Sequence, residues 1–141
     1  MGKVFLGLGV LAIVLVVAGC AGRSKPEVAV GAPAPVARAQ YRKISPQEAK
    51  SMMADKSVII LDVRTEAEFT QGHIEGAILI PNETITTTVR PAALTDLNAV
   101  VLVYCRSGNR SSQAAKKLVT LGYAQVYDFG GIIDWPYEVV R

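Results

Sequence analysis

Ala99-Val100-Val101-Leu102-Val103-Tyr104-Cys105-Arg106-Ser107-Gly108-Asn109-Arg110-Ser111 decides how the rest of the chain is read. Residues 99–104 are an unbroken apolar run, the pattern of a strand covered on both faces. From Ser111 to Leu121 the pattern changes to helical spacing: Ala114, Leu118 and Leu121 share a face, with Ala115 beside them, while Lys116 and Lys117 are expected to face water. Gly122 then suits a left-handed helix end. A buried strand feeding a helix belongs to a parallel sheet, in which ligands bind beyond the carboxyl ends of strands. Residues 105–110 occupy such an end.

The residue types there fit one another chemically. A turn of backbone N–H groups with a helix N-terminus behind it favours negative charge and the ionised form of a thiol such as Cys105. Arg106 and Arg110 supply fork-shaped donors suited to sulfonate or phosphate oxygens. Gly108 permits positive φ and leaves room for an anion, and Asn109 tolerates the same backbone region. Blander roles stay open: Arg106 as a solvated charge, Arg110 as a pin for loop carbonyls, Ser107 and Asn109 as turn formers, Cys105 as an inert core thiol. The two flanking arginines argue against the last. A reactive Cys105 must also be reachable from solvent.

Working outward, Ser45-Pro46-Gln47-Glu48 is a capping box with proline at the first helical position. Ala49, Met52 and Met53 give that helix its apolar face. Ser57 to Leu61 predicts a buried strand ending at Asp62, followed by a short helix from Glu66 to Thr70 and a strand from Ala77 to Ile80, closed by Pro81. Residues 82–97 resist assignment: Thr84, Thr86, Thr87 and Thr88 are poor helix formers, and Pro91 to Leu94 could begin a short helix. A last strand is expected at Val126 to Phe129, and a closing helix over Ile132 to Val139 with Trp135 in the core. The alternation predicts an α/β fold, a mainly parallel central sheet with helices on both faces. Asp62, also at a strand end, is expected to bond to the Cys105 loop, with a general acid or base role as the alternative. Arg64 is expected to pair with Glu66 or Glu68, and His73 to pack rather than act as a base.

Composition narrows the functions. The 141 residues allow one domain of ordinary size, and the net charge of +3 has no basic block, which disfavours nucleic-acid binding. Two cysteines without a CxxC pair, and one histidine, give no basis for a metal or iron–sulfur site, and no cofactor is expected.

The first forty residues read differently. Lys3 precedes an apolar run from Val4 to Val17, the layout of a secretory signal and shorter than the roughly 20 residues of a spanning helix. Val17-Ala18-Gly19-Cys20 resembles the lipobox of bacterial lipoproteins. That resemblance implies a signal peptide over 1–19, cleavage before Cys20, lipidation of its thiol and acylation of its amine. By the same resemblance, Ala21 in place of aspartate weakly favours outer-membrane sorting where two membranes exist. Residues 20–40, rich in Ala, Pro and Gly, are expected to be a linker. The domain at 41–141 would then sit in the bacterial cell envelope, lipid-anchored to a membrane and facing the periplasm or exterior. An uncleaved anchor is the alternative.

Four motifs together resemble the rhodaneses, single-domain thiosulfate sulfurtransferases: Cys105 to Arg110 (CRSGNR), Leu61-Asp62-Val63-Arg64 with Glu66 and Glu68-Phe69, Gly72-His73-Ile74-Glu75-Gly76-Ala77, and Gly130-Gly131 with Trp135. Glu75 replaces a usual proline, and the threonine-rich stretch after Asn82 departs from the pattern. The resemblance implies a three-layer rhodanese-like fold with Cys105 as nucleophile and Arg106, Ser107, Gly108, Asn109 and Arg110 as the substrate cradle. Asp62, Arg64 and His73 would lie around it. It implies small-molecule partners: thiosulfate or a persulfide as sulfur donor, a thiol or cyanide as acceptor, with a Cys105 persulfide between. Dual-specificity phosphatases with a similar fold carry one more loop residue, so the four residues between Cys105 and Arg110 favour sulfur over phosphoryl transfer or arsenate reduction. A membrane-anchored module that binds an anion or partner without turnover is the other alternative.

Overall fold

A computed structural model describes residues 40–141. The expected signal peptide, Cys20 and most of the linker lie outside the described residues. The elements are β1 (Gln40–Lys43), α1 (Pro46–Met52), β2 (Ile59–Asp62), α2 (Glu66–Gln71), β3 (Ile78–Leu79), β4 (Val100–Cys105), α3 (Asn109–Thr120) and β5 (Gln125–Gly131). Single 3-10 turns occupy Asn82–Thr84 and Ile132–Asp134. The strands form one sheet in the order β1-β5-β4-β2-β3, and every pairing is parallel.

Side chains of β4 alternate between two cores, as a pleated strand requires. Val101, Val103 and Cys105 join Leu61, Val63 and Val126 beneath Ala114, Ala115 and Leu118 of α3. Leu102 and Tyr104 point the other way, toward Ala49 of α1, Ile74, Phe129 and Trp135, with Met52 and Met53 packed alongside. Each fully buried Leu or Val contributes about 1.5–3 kcal/mol of transfer free energy, so both layers hold β4 in place. Helix, sheet, helix is the three-layer α/β arrangement expected from the sequence.

Local signals act as anticipated at the start of α1 and at the end of α3. Ser45 and Glu48 make the reciprocal capping-box bonds, with Pro46 in the first turn. Gly122 ends α3 at φ +97°; its N–H bonds Val119 and that of Tyr123 bonds Leu118, the pair that defines a Schellman cap.

Other expectations change. β1 was not foreseen and begins one residue inside the expected linker; four polar-rich residues carry no strand pattern of their own and are ordered by pairing with β5. Of the helix expected over Ile132 to Val139 only a single 3-10 turn at Ile132–Asp134 forms, and Pro136, which lacks an N–H, comes shortly after it. The segment ends in an antiparallel bridge between Val140 and His73. Pro91 to Leu94 is a turn, and Ile85 and Leu94 drop from this irregular stretch into the core under α3. Lys117 does not face water: its Nζ donates to the main-chain O and side-chain Oδ1 of Asn82 at 2.8 and 3.2 Å.

Candidate active site

Cys105 is the last residue of β4, and three residues later Gly108 caps α3 at φ +95° without any side-chain bond to the first-turn N–H groups. The β4–β5 pairing is irregular between Val103, which faces Asp128, and Cys105, which faces Gly131, so that β5 holds one extra residue there. Such a bulge re-aims the residue beyond it. The Gly108 N–H then donates to Cys105 Sγ at 3.0 Å. Gly131 makes this approach possible: a Cβ there would lie 2.6 Å from Ser107 Cα and closer still to the Arg106 carbonyl.

Cys105 itself is buried, with 1 % of its surface exposed. This corrects the expectation of a thiol open to solvent; the loop folds its backbone over the sulfur, and a further bound sulfur atom requires the loop to yield. Arg106 and Ser107 are exposed on the rim, and among the described residues the Arg106 guanidinium forms no ion pair. That side chain borders an open groove of about 590 Å³ shared with Arg64, Glu68, Ile132, Ile133, Tyr137 and other residues. A larger recess of about 950 Å³ lies between α1 and the C-terminal segment and includes none of residues 105–110. Asn109 is exposed and accepts from Gln113 Nε2 at 2.6 Å.

Arg110 pins the loop, though not through loop carbonyls. Its two terminal nitrogens donate to Glu68 at 2.7 and 2.8 Å in a bidentate pair. Glu68 also closes the Thr65 capping box at the start of α2, so one carboxylate ties α2 to the Cys105 loop. The Arg110 bonds hold the Glu68 carboxyl down at about 2, despite partial burial. In return Glu68 first, and Cys105 less strongly, raise the Arg110 guanidinium's proton affinity against a desolvation that lowers it.

Asp62 and Arg64 pair with each other, which corrects both expectations for them. The Arg64 Nη2 donates to Asp62 Oδ2 at 2.6 Å and to the Gly72 carbonyl at 2.7 Å, and its Nε reaches both carboxylate oxygens at 3.0 Å. Asp62 is fully buried and Arg64 is 5 % exposed. Because Arg64 lies two residues beyond Asp62 on a chain leaving the sheet, its side chain folds back onto the strand end and pairs there, meeting α2 only at the carbonyl of its C-terminal cap, Gly72. The Tyr104 hydroxyl, pushed upward chiefly by burial, accepts the Ile74 N–H and completes this brace. Its partners hold the Gly72–Ile74 segment rather than the Cys105 loop. His73 stacks on Phe69 with ring centroids 3.8 Å apart and its Nδ1 meets the Phe69 carbonyl at 3.1 Å; both contacts belong to packing.

Two residues that the sequence did not single out lie under Cys105. Ser111 Oγ is 3.7 Å from Cys105 Sγ and donates to Asp128 Oδ1 at 2.6 Å. Both are fully buried. The available signal was an aspartate inside the otherwise apolar stretch of residues 126–129. Among the described residues no group of His, Cys, Asp and Glu is placed to hold a metal ion.

Residues 45–136 match the family model described as Rhodanese-like domain. The chain is 36% identical over 102 residues to thiosulfate sulfurtransferase GlpE of Pseudomonas entomophila, covering 72% of this chain and 86% of that protein. It is also 36% identical over 97 residues to a sulfurtransferase of Allochromatium vinosum, covering 66% and 86% respectively. Among solved structures it is similar to a rhodanese with anions from E. coli, at 35% identity and a TM-score of 0.54 over 59% of this chain and 96% of that one.

Proposed function

We propose that this chain, which belongs to the rhodanese-like domain family, moves sulfane sulfur from thiosulfate or a persulfide donor to a thiol or cyanide through a persulfide on Cys105. Sulfurtransferase activity in general follows from its relatives; the covalent carrier and the acceptors are our own inference. The supporting observation is the Gly108 N–H aimed at Cys105 Sγ at 3.0 Å, at the uncapped start of α3.

Cys105 thiolate attacks the outer sulfur of thiosulfate. A Cys105 S–S bond forms as the donor's S–S bond breaks, and sulfite leaves with the electron pair. The outer sulfur then carries the negative charge, which main-chain N–H groups such as that of Gly108 stabilise once the loop has yielded to it. An acceptor thiolate or cyanide attacks that sulfur and restores Cys105, so ping-pong kinetics follow. Arg106 is free to meet the donor's sulfonate, whereas Arg110 is occupied by Glu68. Incubation with thiosulfate should add one sulfur to the Cys105 peptide by mass spectrometry, and Cys105→Ser should abolish it. Absence of the adduct would instead favour a module that binds without turnover, the alternative to which the burial of Cys105 lends weight.

Attachment to a bacterial membrane through lipidated Cys20 is part of the same proposal, supported by Val17-Ala18-Gly19-Cys20 and the linker that follows. Among the described residues no helix is long and apolar enough to cross a membrane. Cys20→Ser should move the full chain from the membrane fraction to the soluble fraction with its sulfur-loading activity intact.

A further inference from the structure

Asp128 is a fully buried carboxyl group with no cationic partner among the described residues. Its Oδ1 accepts from Ser111 Oγ at 2.6 Å and from the Gly130 N–H at 2.9 Å, and its Oδ2 accepts from the Tyr41 hydroxyl at 3.3 Å. Ser111 Oγ in turn sits among acceptors, with the carbonyls of Gly108 and Gly130 at 3.1 and 3.3 Å. The donor facing its lone pairs from another side chain is the Cys105 thiol, 3.7 Å away.

We infer that Ser111 and Asp128 form a proton relay that ionises Cys105 without releasing its proton to water. The inference rests on Cys105 being the nucleophile. In the resting arrangement the Cys105 S–H points at Ser111 Oγ and the Ser111 hydrogen lies on the bond to Asp128. Ionisation moves two protons together. The S–H bond breaks as its proton joins Ser111 Oγ, and the Ser111 proton passes to Asp128 Oδ1. No electrons are gained or lost. The single negative charge moves from the Asp128 carboxylate to Sγ, and the Ser111 hydroxyl now donates to the thiolate.

Electrostatics favours this route over loss of the proton to solvent. Two anions separated by one hydroxyl, at 0 % and 1 % exposure, would repel in a medium that solvates neither. Moving the proton within the group keeps one buried charge throughout. The other groups facing it do not replace Asp128 as proton acceptor. From β1 the Tyr41 hydroxyl is shared with Ser112 Oγ at 3.1 Å, and Lys43, the register partner of Asp128, is exposed. From α3, Arg110 is committed to Glu68 of α2, and Arg106 on the loop is exposed. Ser111 touches the reacting sulfur and is a catalytic residue; Asp128 acts through it and is a positioning residue.

The test is the rate at which iodoacetamide, an uncharged reagent, alkylates Cys105, followed on its peptide by mass spectrometry as a function of pH. Limited access to the buried thiol scales every rate equally and leaves the profile unchanged. A proton exchanged inside the group makes the wild-type rate flat across the neutral range. Asp128→Asn keeps the shape but cannot take the proton, so its rate should rise about tenfold per pH unit and fall at least about tenfold below wild type at pH 7. Ser111→Ala should behave the same way, and serves if Asp128→Asn does not fold by circular dichroism. A wild-type rate that itself rises tenfold per unit overturns the relay, as does a variant profile parallel to wild type. Alkylation needs no sulfur donor. A flat profile with no thiosulfate adduct therefore sinks the sulfur-transfer proposal and leaves the relay, and the converse result does the opposite.

Discussion

Two aspartates lie on the strands that flank β4, Asp62 at the end of β2 and Asp128 within β5, and they are fully buried in opposite ways. Asp62 on β2 is gripped by a guanidinium that also ties down the Gly72 carbonyl. Asp128 on β5 meets two hydroxyls and one N–H. A buried carboxylate with a cation has its charge fixed by its partner, and the pair works as a brace. A buried carboxylate held by hydroxyls faces groups that can donate a proton or receive one. The same residue type on the two strands that flank β4 therefore serves architecture on one side and proton traffic on the other.

Matched substitutions should separate them. Asp62→Asn removes the charge opposite buried Arg64 and should cost about 3–5 kcal/mol of stability, read by denaturant titration. The pH profile of Cys105 alkylation should keep its wild-type shape. Asp128→Asn exchanges hydrogen bonds of similar geometry and should cost about 1–2 kcal/mol, while changing that profile. If Asp62→Asn altered the profile and Asp128→Asn did not, the comparison would be reversed.

Glu68 offers an intermediate case, an ion pair at the surface with both side chains 26 % exposed. Its carboxyl sits at about 2 in the folded chain against an ordinary 4.5, so the stabilisation is complete above the ordinary value and fades as pH falls toward 2. After screening by solvent, Glu68→Gln should cost about 1 kcal/mol near neutrality, with the gap to wild type closing between about pH 5 and 2 in acid unfolding curves. The smallest effect is expected at Arg106, which braces nothing. Arg106→Ala should leave stability within about 0.5 kcal/mol. It should weaken thiosulfate use about fivefold, as for an exposed ion pair, and an uncharged persulfide donor less. Equal losses with both donors would remove the anion-binding role.

What the sequence disclosed follows from the range of the forces involved. The run from Ala99 through Leu121 declares strand, loop and helix by periodicity alone, and Ser45 with Glu48 declares a helix start across three residues. Such signals are local. The partner of Arg64 was misassigned because Asp62 and Glu66 are equally close in sequence, and which of them it meets depends on which way the chain leaves the sheet. β1 and the Ser111–Asp128 contact were invisible for the same reason. Each needs strands far apart in sequence to lie in register. The burial of Cys105 escaped notice because it is set by Gly131 pressing on the loop from another strand. The candidate nucleophile and its rim were legible, and the groups beneath them were not.

The edge position of β1 has a bearing on biosynthesis. Gln40–Lys43 pairs with β5 alone, and Tyr41 meets Asp128 across 87 positions. The first strand of the domain to leave the ribosome must wait for the last before it finds a ladder. Contacts that close so large a loop form late and slowly. A nascent chain halted before Gln125 would carry Cys105 and α3 complete, yet lack the carboxyl group under its thiol, so any reactivity that depends on Asp128 begins only after synthesis of the domain is nearly finished.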